Sequence, residues 1–143
     1  MKIIFDYNRT LYDPETKSFY PGAVALVSAL ALKHELYLIS RREPERANYL
    51  EQSGLKELFT DIAFVEEKTV ALFQRFAGGD KNTVVIGDRV TEEITIGNRL
   101  GLRTVWLKQG KFAAELPGNA TEMPTETINC LADISALISQ YEK

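Results

Sequence analysis

Asp6 is the first residue of the chain whose type and position favour chemistry. It follows the apolar run Ile3-Ile4-Phe5 and opens the segment Asp6-Tyr7-Asn8-Arg9-Thr10. A carboxylate at the end of a buried strand can act as a nucleophile toward phosphorus, giving an acyl-phosphate that divides one difficult displacement into two easier ones. Asp and Asn are also favoured in turns, so this segment alone leaves both interpretations open.

A second group of acidic residues stands in the segment Gly87-Asp88-Arg89-Val90-Thr91-Glu92-Glu93. Helix capping accounts for Glu92 after Thr91, but it does not account for Asp88. If Asp6, Asp88 and Glu93 converge, two unit charges about 4 Å apart repel by roughly 4 kcal/mol at an effective dielectric constant of about 20. A bound cation removes this repulsion, and a site made only of oxygen atoms favours Mg²⁺.

Short apolar runs alternate with segments of helical periodicity, and these elements must position the acidic residues. The pattern predicts strands at residues 3–5, 36–39, 62–64, 83–86 and 104–107, and helices at 23–33, 44–52, 67–76, 91–100 and 131–141. This alternation favours a Rossmann-like three-layer αβα sandwich with a mainly parallel sheet. Asp6, Ser40 and Asp88 each end or follow a predicted strand. We therefore expect them at the edge where ligands bind such sheets.

The composition excludes several other classes of protein. The 143 residues suffice for one domain, and 45% hydrophobic with 26% charged residues argues against disorder. A net charge of −3 means that the chain has no overall positive charge to attract nucleic acid or an anionic membrane. One cysteine rules out an intramolecular disulfide, and one histidine argues against a Cys/His zinc site. The first residues resemble neither a signal peptide nor a membrane span, so we expect a cytoplasmic protein.

The order of these motifs resembles the haloacid dehalogenase (HAD) superfamily. Asp-x-x-x-Thr follows the first strand, Ser40 the second, and Gly-Asp-x-x-x-x-Glu the fourth, with Lys68 before the fourth strand. The match spans residues 3 to about 107. The resemblance implies a single HAD-like core over residues 1–143. It also implies a magnesium-dependent phosphohydrolase, a phosphatase or phosphotransferase, that forms an aspartyl-phosphate on Asp6.

The resemblance also assigns roles to individual residues. It implies that Mg²⁺ is surrounded by Asp6, the backbone carbonyl of Asn8, Asp88 and Glu93, with Glu93 binding directly or through water. The residues implied for the phosphoryl group are Thr10, which supports the loop, Ser40, which donates a hydrogen bond, and Lys68, which pairs with Asp6 from the start of the third helix. Arg41 and Arg42 follow Ser40 and either contact an anionic substrate or lie solvated in a loop.

Asn8 departs from the pattern of the superfamily. Most of its phosphatases carry a second aspartate here, which protonates the leaving group and then activates water. An amide cannot exchange protons at neutral pH, and losing such a group costs about 10²–10⁴-fold in rate. The chain would then act slowly or only on good leaving groups, use Asp13 instead, or be a non-catalytic phosphate- and metal-binding domain.

Two other activities fit the sequence less well. A haloacid dehalogenase also lacks the second aspartate, but it needs no metal and would leave Asp88 and Glu93 as an unneutralised pair. A receiver domain of two-component signalling would place its phosphorylated aspartate after the third strand, where this chain has Phe64-Val65.

A short connection between Asp6 and the first helix predicts an open site. Residues 7–22 suffice for a loop or a small hairpin but not for a cap domain. An open site suits a large phosphorylated substrate, or one that a partner subunit closes off, so homo-oligomerisation is left open. Tyr12, Phe19 and Tyr20 in this connection either form an apolar rim or pack the loop onto the sheet, and packing is favoured.

Overall fold

A computed structural model describes residues 1–143, with a parallel sheet of six strands and a separate two-stranded hairpin. The strands are β1 (Lys2–Asp6), β2 (Tyr12–Asp13), β3 (Ser18–Phe19), β4 (Glu35–Arg41), β5 (Asp61–Val65), β6 (Thr83–Gly87), β7 (Arg103–Leu107) and β8 (Glu126–Ile128). The α-helices are α1 (Ala23–Ala31), α2 (Pro44–Ser53), α3 (Val70–Ala77), α4 (Thr95–Arg99) and α5 (Ala132–Tyr141). None of the helices combines the length and apolar character needed to cross a bilayer.

The strand order is β5-β4-β1-β6-β7-β8, and β1 lies at the centre. Asp6 pairs in register with Ile39 of β4, and Phe5 pairs with Ile86 of β6. The chain builds the sheet outward from β1 in one direction and then, from β6, in the other. The order therefore reverses between β1 and β6, which is where ligands bind in sheets of this kind.

The two faces of the sheet are covered by different helices, because successive side chains of a strand point to opposite sides. Ile3 and Phe5 of β1 pack in a cluster of 23 buried residues that also contains residues of α1, α2 and α5. Ile4 packs on the other face in a cluster of nine, with residues of α3 and α4. The predicted three-layer αβα architecture with a parallel sheet is confirmed.

The hairpin of β2 and β3 fills the connection between Asp6 and α1. Tyr12 is 2% exposed, and the rings of Tyr12 and Phe19 contact the ring of Tyr49 in α2 at centroid distances of 5.5 and 4.8 Å. All three aromatic residues of this connection pack against the core on this face of the sheet, as the favoured interpretation had it. Tyr20 is partly buried there and also lines a surface cavity.

Two predicted helices differ from the observed ones, and one observed strand was not predicted. The predicted helix 67–76 begins only at Val70, because Thr69 caps it by accepting a hydrogen bond from the Leu72 amide at 3.2 Å. The predicted helix 91–100 is divided into a π-helical turn, Val90–Ile94, and the five-residue α4. Strand β8 was not predicted, because two of its three residues are exposed and no apolar run marks it.

Candidate active site

Three buried carboxylates converge where the strand order reverses. Asp6, Asp88 and Glu93 are 4%, 2% and 1% exposed, and each offers one oxygen within 4.8 Å of the oxygens offered by the other two. Asp6 ends β1, Asp88 directly follows β6, and Glu93 lies in the π-helical turn. The structure therefore brings together the three acidic residues that the sequence singles out.

The backbone around Gly87 allows the side chain of Glu93 to reach this cluster. A Cβ atom on residue 87 would lie only 2.6 Å from Glu93 Oε2, so no larger residue fits without displacing the carboxylate. The Arg89 amide donates to Glu93 Oε2 at 3.2 Å, and the Trp106 indole donates to the Asp88 carbonyl at 3.0 Å. These contacts hold both acidic residues at the end of β6.

Lys68 is the cationic residue in direct contact with the cluster. Its Nζ lies 2.6 Å from Asp6 Oδ1 and also contacts Glu93 Oε1. The expected position at the start of the third helix is wrong, since Lys68 lies in the segment before α3. Burial alone lowers the pKa of Lys68, but the carboxylates of Asp6 and Glu93 outweigh it and raise that pKa. The lysine therefore keeps its charge although its side chain is only 7% exposed.

One lysine does not balance three buried carboxylates. Burial and the charge of Asp6 raise the pKa of Asp88, and the same two causes raise the pKa of Glu93. Asp88 Oδ2 is buried and accepts no hydrogen bond, although buried carboxylate oxygens normally find a donor. A divalent cation among these oxygens would supply the missing positive charge, so the residues present fit an oxygen-ligated metal.

Thr10 and Asn8 lie beside Asp6 in the loop after β1. The buried Thr10 hydroxyl donates to Asp6 Oδ2 at 3.2 Å, which fixes the rotamer of the carboxylate. Asn8 Oδ1 is buried and has no hydrogen-bond partner. The Asn8 backbone carbonyl accepts no backbone hydrogen bond either, so both of its oxygens are available to a ligand.

The carboxylates line a cavity of about 300 Å³ that contains no hydrophobic residue. Its lining consists of Asp6, Asn8, Arg9, Arg41, Arg46, Lys68, Asp88, Arg89, Glu92 and Glu93. Half of these residues are cationic, so the cavity combines a cation-binding floor with walls that suit an anion. Such a combination is what a phosphorylated ligand needs.

Ser40 and Arg41 occupy the predicted edge, but only Arg41 lines the cavity. Ser40 is 1% exposed, and its hydroxyl donates to the Arg41 carbonyl at 3.1 Å. A solvated loop was one of the two interpretations of Arg41, but the residue is the last one of β4. Arg42 lies outside the cavity and pairs with the exposed Glu66 at 2.8 Å.

The arginines Arg46 and Arg89 also line the cavity, and the sequence analysis missed both. Arg89 pairs with Glu92 at 2.7 Å and with Glu115 at 2.9 Å. Glu92 lies in the first turn of the π-helical segment, as its interpretation near a helix start has it, and its other oxygen pairs with Arg41 at 3.0 Å. No sequence signal marks these arginines, because single charged residues near helix starts are usually solvated.

Asp13, considered above as a replacement proton donor, lies apart from the cluster. It belongs to β2, and its carboxylate accepts a hydrogen bond from the Glu15 amide at 3.0 Å. It lines a neighbouring cavity and not the one that contains Asp6. The structure thus does not bring Asp13 together with the proposed nucleophile.

Comparisons with known proteins agree with this geometry. Residues 67–134 match the HAD-hydrolase-like family model, whereas a search of curated proteins found no match. Among solved structures, YfnB from Bacillus subtilis, determined with bound magnesium, has a TM-score of 0.70 and 23% identity over 85% of this chain. The chain spans 57% of the length of YfnB.

Two phosphatase structures match over nearly the full length of both chains. A HAD phosphatase from Thermococcus onnurineus has a TM-score of 0.79 and 12% identity, covering 96% of this chain and 98% of that one. The fold is HAD-like. The chain also resembles D,D-heptose 1,7-bisphosphate phosphatase from B. bronchiseptica, complexed with magnesium and phosphate. There the TM-score is 0.73 and the identity 13%, over 97% of this chain and 98% of that one.

Proposed function

We propose that the chain is a magnesium-dependent phosphohydrolase, a phosphatase or phosphotransferase, that acts through an aspartyl-phosphate on Asp6. The observation that carries the proposal is the buried cluster of Asp6, Asp88 and Glu93. Lys68 pairs with Asp6 and Glu93, whereas Asp88 Oδ2 accepts no hydrogen bond. Asp6, Asp88, Glu93 and the Asn8 carbonyl would hold Mg²⁺. The ion would neutralise charge on the phosphoryl oxygens.

The residues around Asp6 support nucleophilic attack in the proposed reaction. A carboxylate oxygen of Asp6 forms a bond to phosphorus, and the leaving-group oxygen departs with the electron pair of the broken P–O bond. Lys68 offsets the negative charge of the nucleophile and the phosphate, and Thr10 keeps the carboxylate oriented. Arg41 would contact the phosphorylated substrate, whereas Ser40 would have to rotate its hydroxyl away from the Arg41 carbonyl.

The second step, attack of water on the acyl-phosphate, lacks an evident base. Asn8 cannot take a proton, and Asp13 lines another cavity. Each oxygen of Glu92 is engaged by an arginine. We therefore expect a phosphorylated Asp6 that is hydrolysed slowly, and turnover that depends on a good leaving group.

A non-catalytic phosphate- and metal-binding or regulatory domain is the second candidate. The same absence of a base favours it, because binding needs the cluster and the arginines but no proton transfer. A haloacid dehalogenase is disfavoured, because it needs no metal, whereas the carboxylates of Asp6, Asp88 and Glu93 fit one. The single uncapped core, the large phosphorylated substrate, homo-oligomerisation and the cytoplasmic location stay predictions of the sequence, as does the absence of a nucleic-acid partner.

Stopped-flow kinetics with 4-nitrophenyl phosphate and Mg²⁺ tests the proposal on wild type, Asp6→Asn and Asn8→Asp. We expect a burst of nitrophenolate followed by slow turnover in wild type, and neither phase in Asp6→Asn. Asn8→Asp should accelerate the slow phase by about 10²-fold or more, because a proton acceptor returns. An inert Asn8→Asp variant that still binds Mg²⁺ would favour the binding domain instead.

A further inference from the structure

Arg9 differs from the other cationic residues of the cavity because no carboxylate lies within 4.0 Å of it. The other four are each paired with at least one carboxylate, namely Arg41 with Glu92, Arg46 with Glu43, Arg89 with Glu92 and Glu115, and Lys68 with Asp6 and Glu93. Arg9 is therefore the cation of this cavity whose charge no carboxylate offsets.

The position of Arg9 is fixed although its charge is unpaired. Its backbone is in the left-handed region, with φ of 63°, which is unfavourable for a residue with a Cβ atom. Its amide donates to the Tyr12 carbonyl at 2.7 Å, and its carbonyl accepts from Gln109 Nε2 at 3.3 Å. The guanidinium lies over the ring of Phe112, 5.2 Å from the centroid. A strained and anchored backbone thus presents a defined guanidinium to the site.

Arg9 also lines a second cavity of about 520 Å³, between the hairpin and the loop after β7. Lys111 lines the same cavity, has no carboxylate within 4.0 Å, and lies 5.5 Å from the centroid of Phe112. Arg9 lines both cavities and so marks the boundary between them. It shares the ring of Phe112 with Lys111 and with Arg89, whose guanidinium lies 3.8 Å from the centroid. A leaving group attached to a phosphoryl at Asp6 would extend across this boundary.

We propose that Arg9, assisted by Lys111, binds an anionic group on the leaving group, so that the chain prefers phosphorylated substrates that carry a further carboxylate or phosphate. This inference rests on the proposed function, because it takes the phosphoryl group to bind beside Asp6. Asp13 and Glu15 line the hairpin side of the second cavity and would repel an anion there. The anionic group therefore lies on the side of Gly110 and Lys111, against the two unpaired cations.

Isothermal titration calorimetry with Mg²⁺ tests this preference in an Asp6→Asn background, where hydrolysis does not interfere. The probes are 4-carboxyphenyl phosphate, its uncharged methyl ester, and 1,4-phenylene bisphosphate. We expect at least one of the two charged probes to bind about tenfold more tightly than the ester, as a charge-assisted hydrogen bond allows. Whichever charged probe gains affinity identifies the anion as a carboxylate or a phosphate.

Adding Arg9→Gln should abolish this preference and leave the affinity for the ester nearly unchanged. Arg42→Gln is the matched control, since Arg42 is exposed and paired outside the cavity, and it should retain the preference. Equal affinities for all probes, or a preference that survives Arg9→Gln, would overturn the role of Arg9 and leave the proposed function standing. If no probe binds, the phosphoryl site itself is refuted, and the inference falls with it.

Discussion

Lys68 stabilises the carboxylate cluster when no metal is bound, because its Nζ contacts two of the three acidic side chains. The desolvation of a buried charge is expensive, and removing one partner of a buried ion pair typically costs 3 to 5 kcal/mol, on the order of half the stability of a small domain. The arginines of the cavity do not substitute for Lys68, since Arg41, Arg46 and Arg89 form ion pairs with Glu43, Glu92 and Glu115. Arg9, the fourth, has no carboxylate within 4.0 Å.

Lys68→Met is expected to lower the free energy of unfolding by about 3 kcal/mol in EDTA, because it leaves buried carboxylates without a counter-charge. Mg²⁺ should recover part of this loss. Urea unfolding with and without Mg²⁺ measures both effects. Lys17→Met is the control, since Lys17 and Glu45 form an exposed pair with 66% and 59% of their side chains accessible. Equal losses in the two variants would show that Lys68 is not the counter-charge.

At the level of single residues, the sequence predicted the acidic cluster but not the arginines. Asp6 and Asp88 each follow an apolar run, and parallel strands place such positions at one edge. The pairing of Arg89 with Glu115, 26 residues later, depends on how a loop folds back over the site. No local pattern carries that information. The buried side chain of Lys68 was predicted as a partner of Asp6, although its helix was placed too early.

Among the elements, α4 decides how closely Glu93 approaches the sheet. A Cβ atom on Gly97 would lie 2.5 Å from Thr104 Cγ2 in β7 and 3.2 Å from Val85 Cγ2 in β6. The backbone of α4 thus contacts the sheet directly at this glycine. The preceding π-helical turn, which carries Glu93, is continuous with α4 and depends on that contact.

Gly97→Ala is expected to destabilise the protein by about 1–2 kcal/mol, because overpacking outweighs the better helix propensity of alanine. The shift of α4 should also weaken the Mg²⁺-induced rise in melting temperature. Gly118→Ala is the control, since a Cβ atom there meets only Glu122 Oε1 at 3.4 Å. Differential scanning calorimetry with and without Mg²⁺ compares the two variants. A stabilised Gly97→Ala variant would contradict the close contact.

The strands and helices were predictable where hydrophobic periodicity determines them. They were not predictable where contacts with distant parts of the chain determine them. Alternating apolar runs gave the five longer strands of the sheet and their helices to within a few residues. The π-helical turn was not predictable, because the extra residue in the turn reflects how Glu93 and α4 meet the sheet. Strand β8 forms only because β7 offers it backbone partners, with Trp106 paired to Thr127.

For the whole molecule, the raised pKa values of Asp88 and Glu93 link stability to pH. Groups with a raised pKa in the folded state hold more protons there than in the unfolded chain. Stability in EDTA should therefore fall as pH rises from the ordinary carboxyl range, about 4, through the raised values of Asp88 and Glu93. Mg²⁺ should reverse this trend, because it competes with protons for the same oxygens.

Melting temperatures measured between about pH 5 and about pH 8, in EDTA and in Mg²⁺, test this linkage. The stabilisation by Mg²⁺ should grow with pH. Asp88→Asn should flatten the fall in EDTA and remove most of the gain from Mg²⁺, because the amide neither titrates nor carries the charge. A Mg²⁺ effect that is independent of pH would show that the ion binds elsewhere.

The central position of β1 also determines when the site can form during synthesis. Its partners β4 and β6 lie at residues 35–41 and 83–87, so a nascent chain that has left the ribosome only as far as β5 can pair just one side of β1. Until β6 emerges, the other edge of the apolar strand Ile3-Ile4-Phe5 stays without backbone partners and is open to pairing with other chains. Asp88 directly follows β6, so it cannot join Asp6 in the site during the same interval. The assembly of the site is therefore a late event that coincides with the burial of this edge.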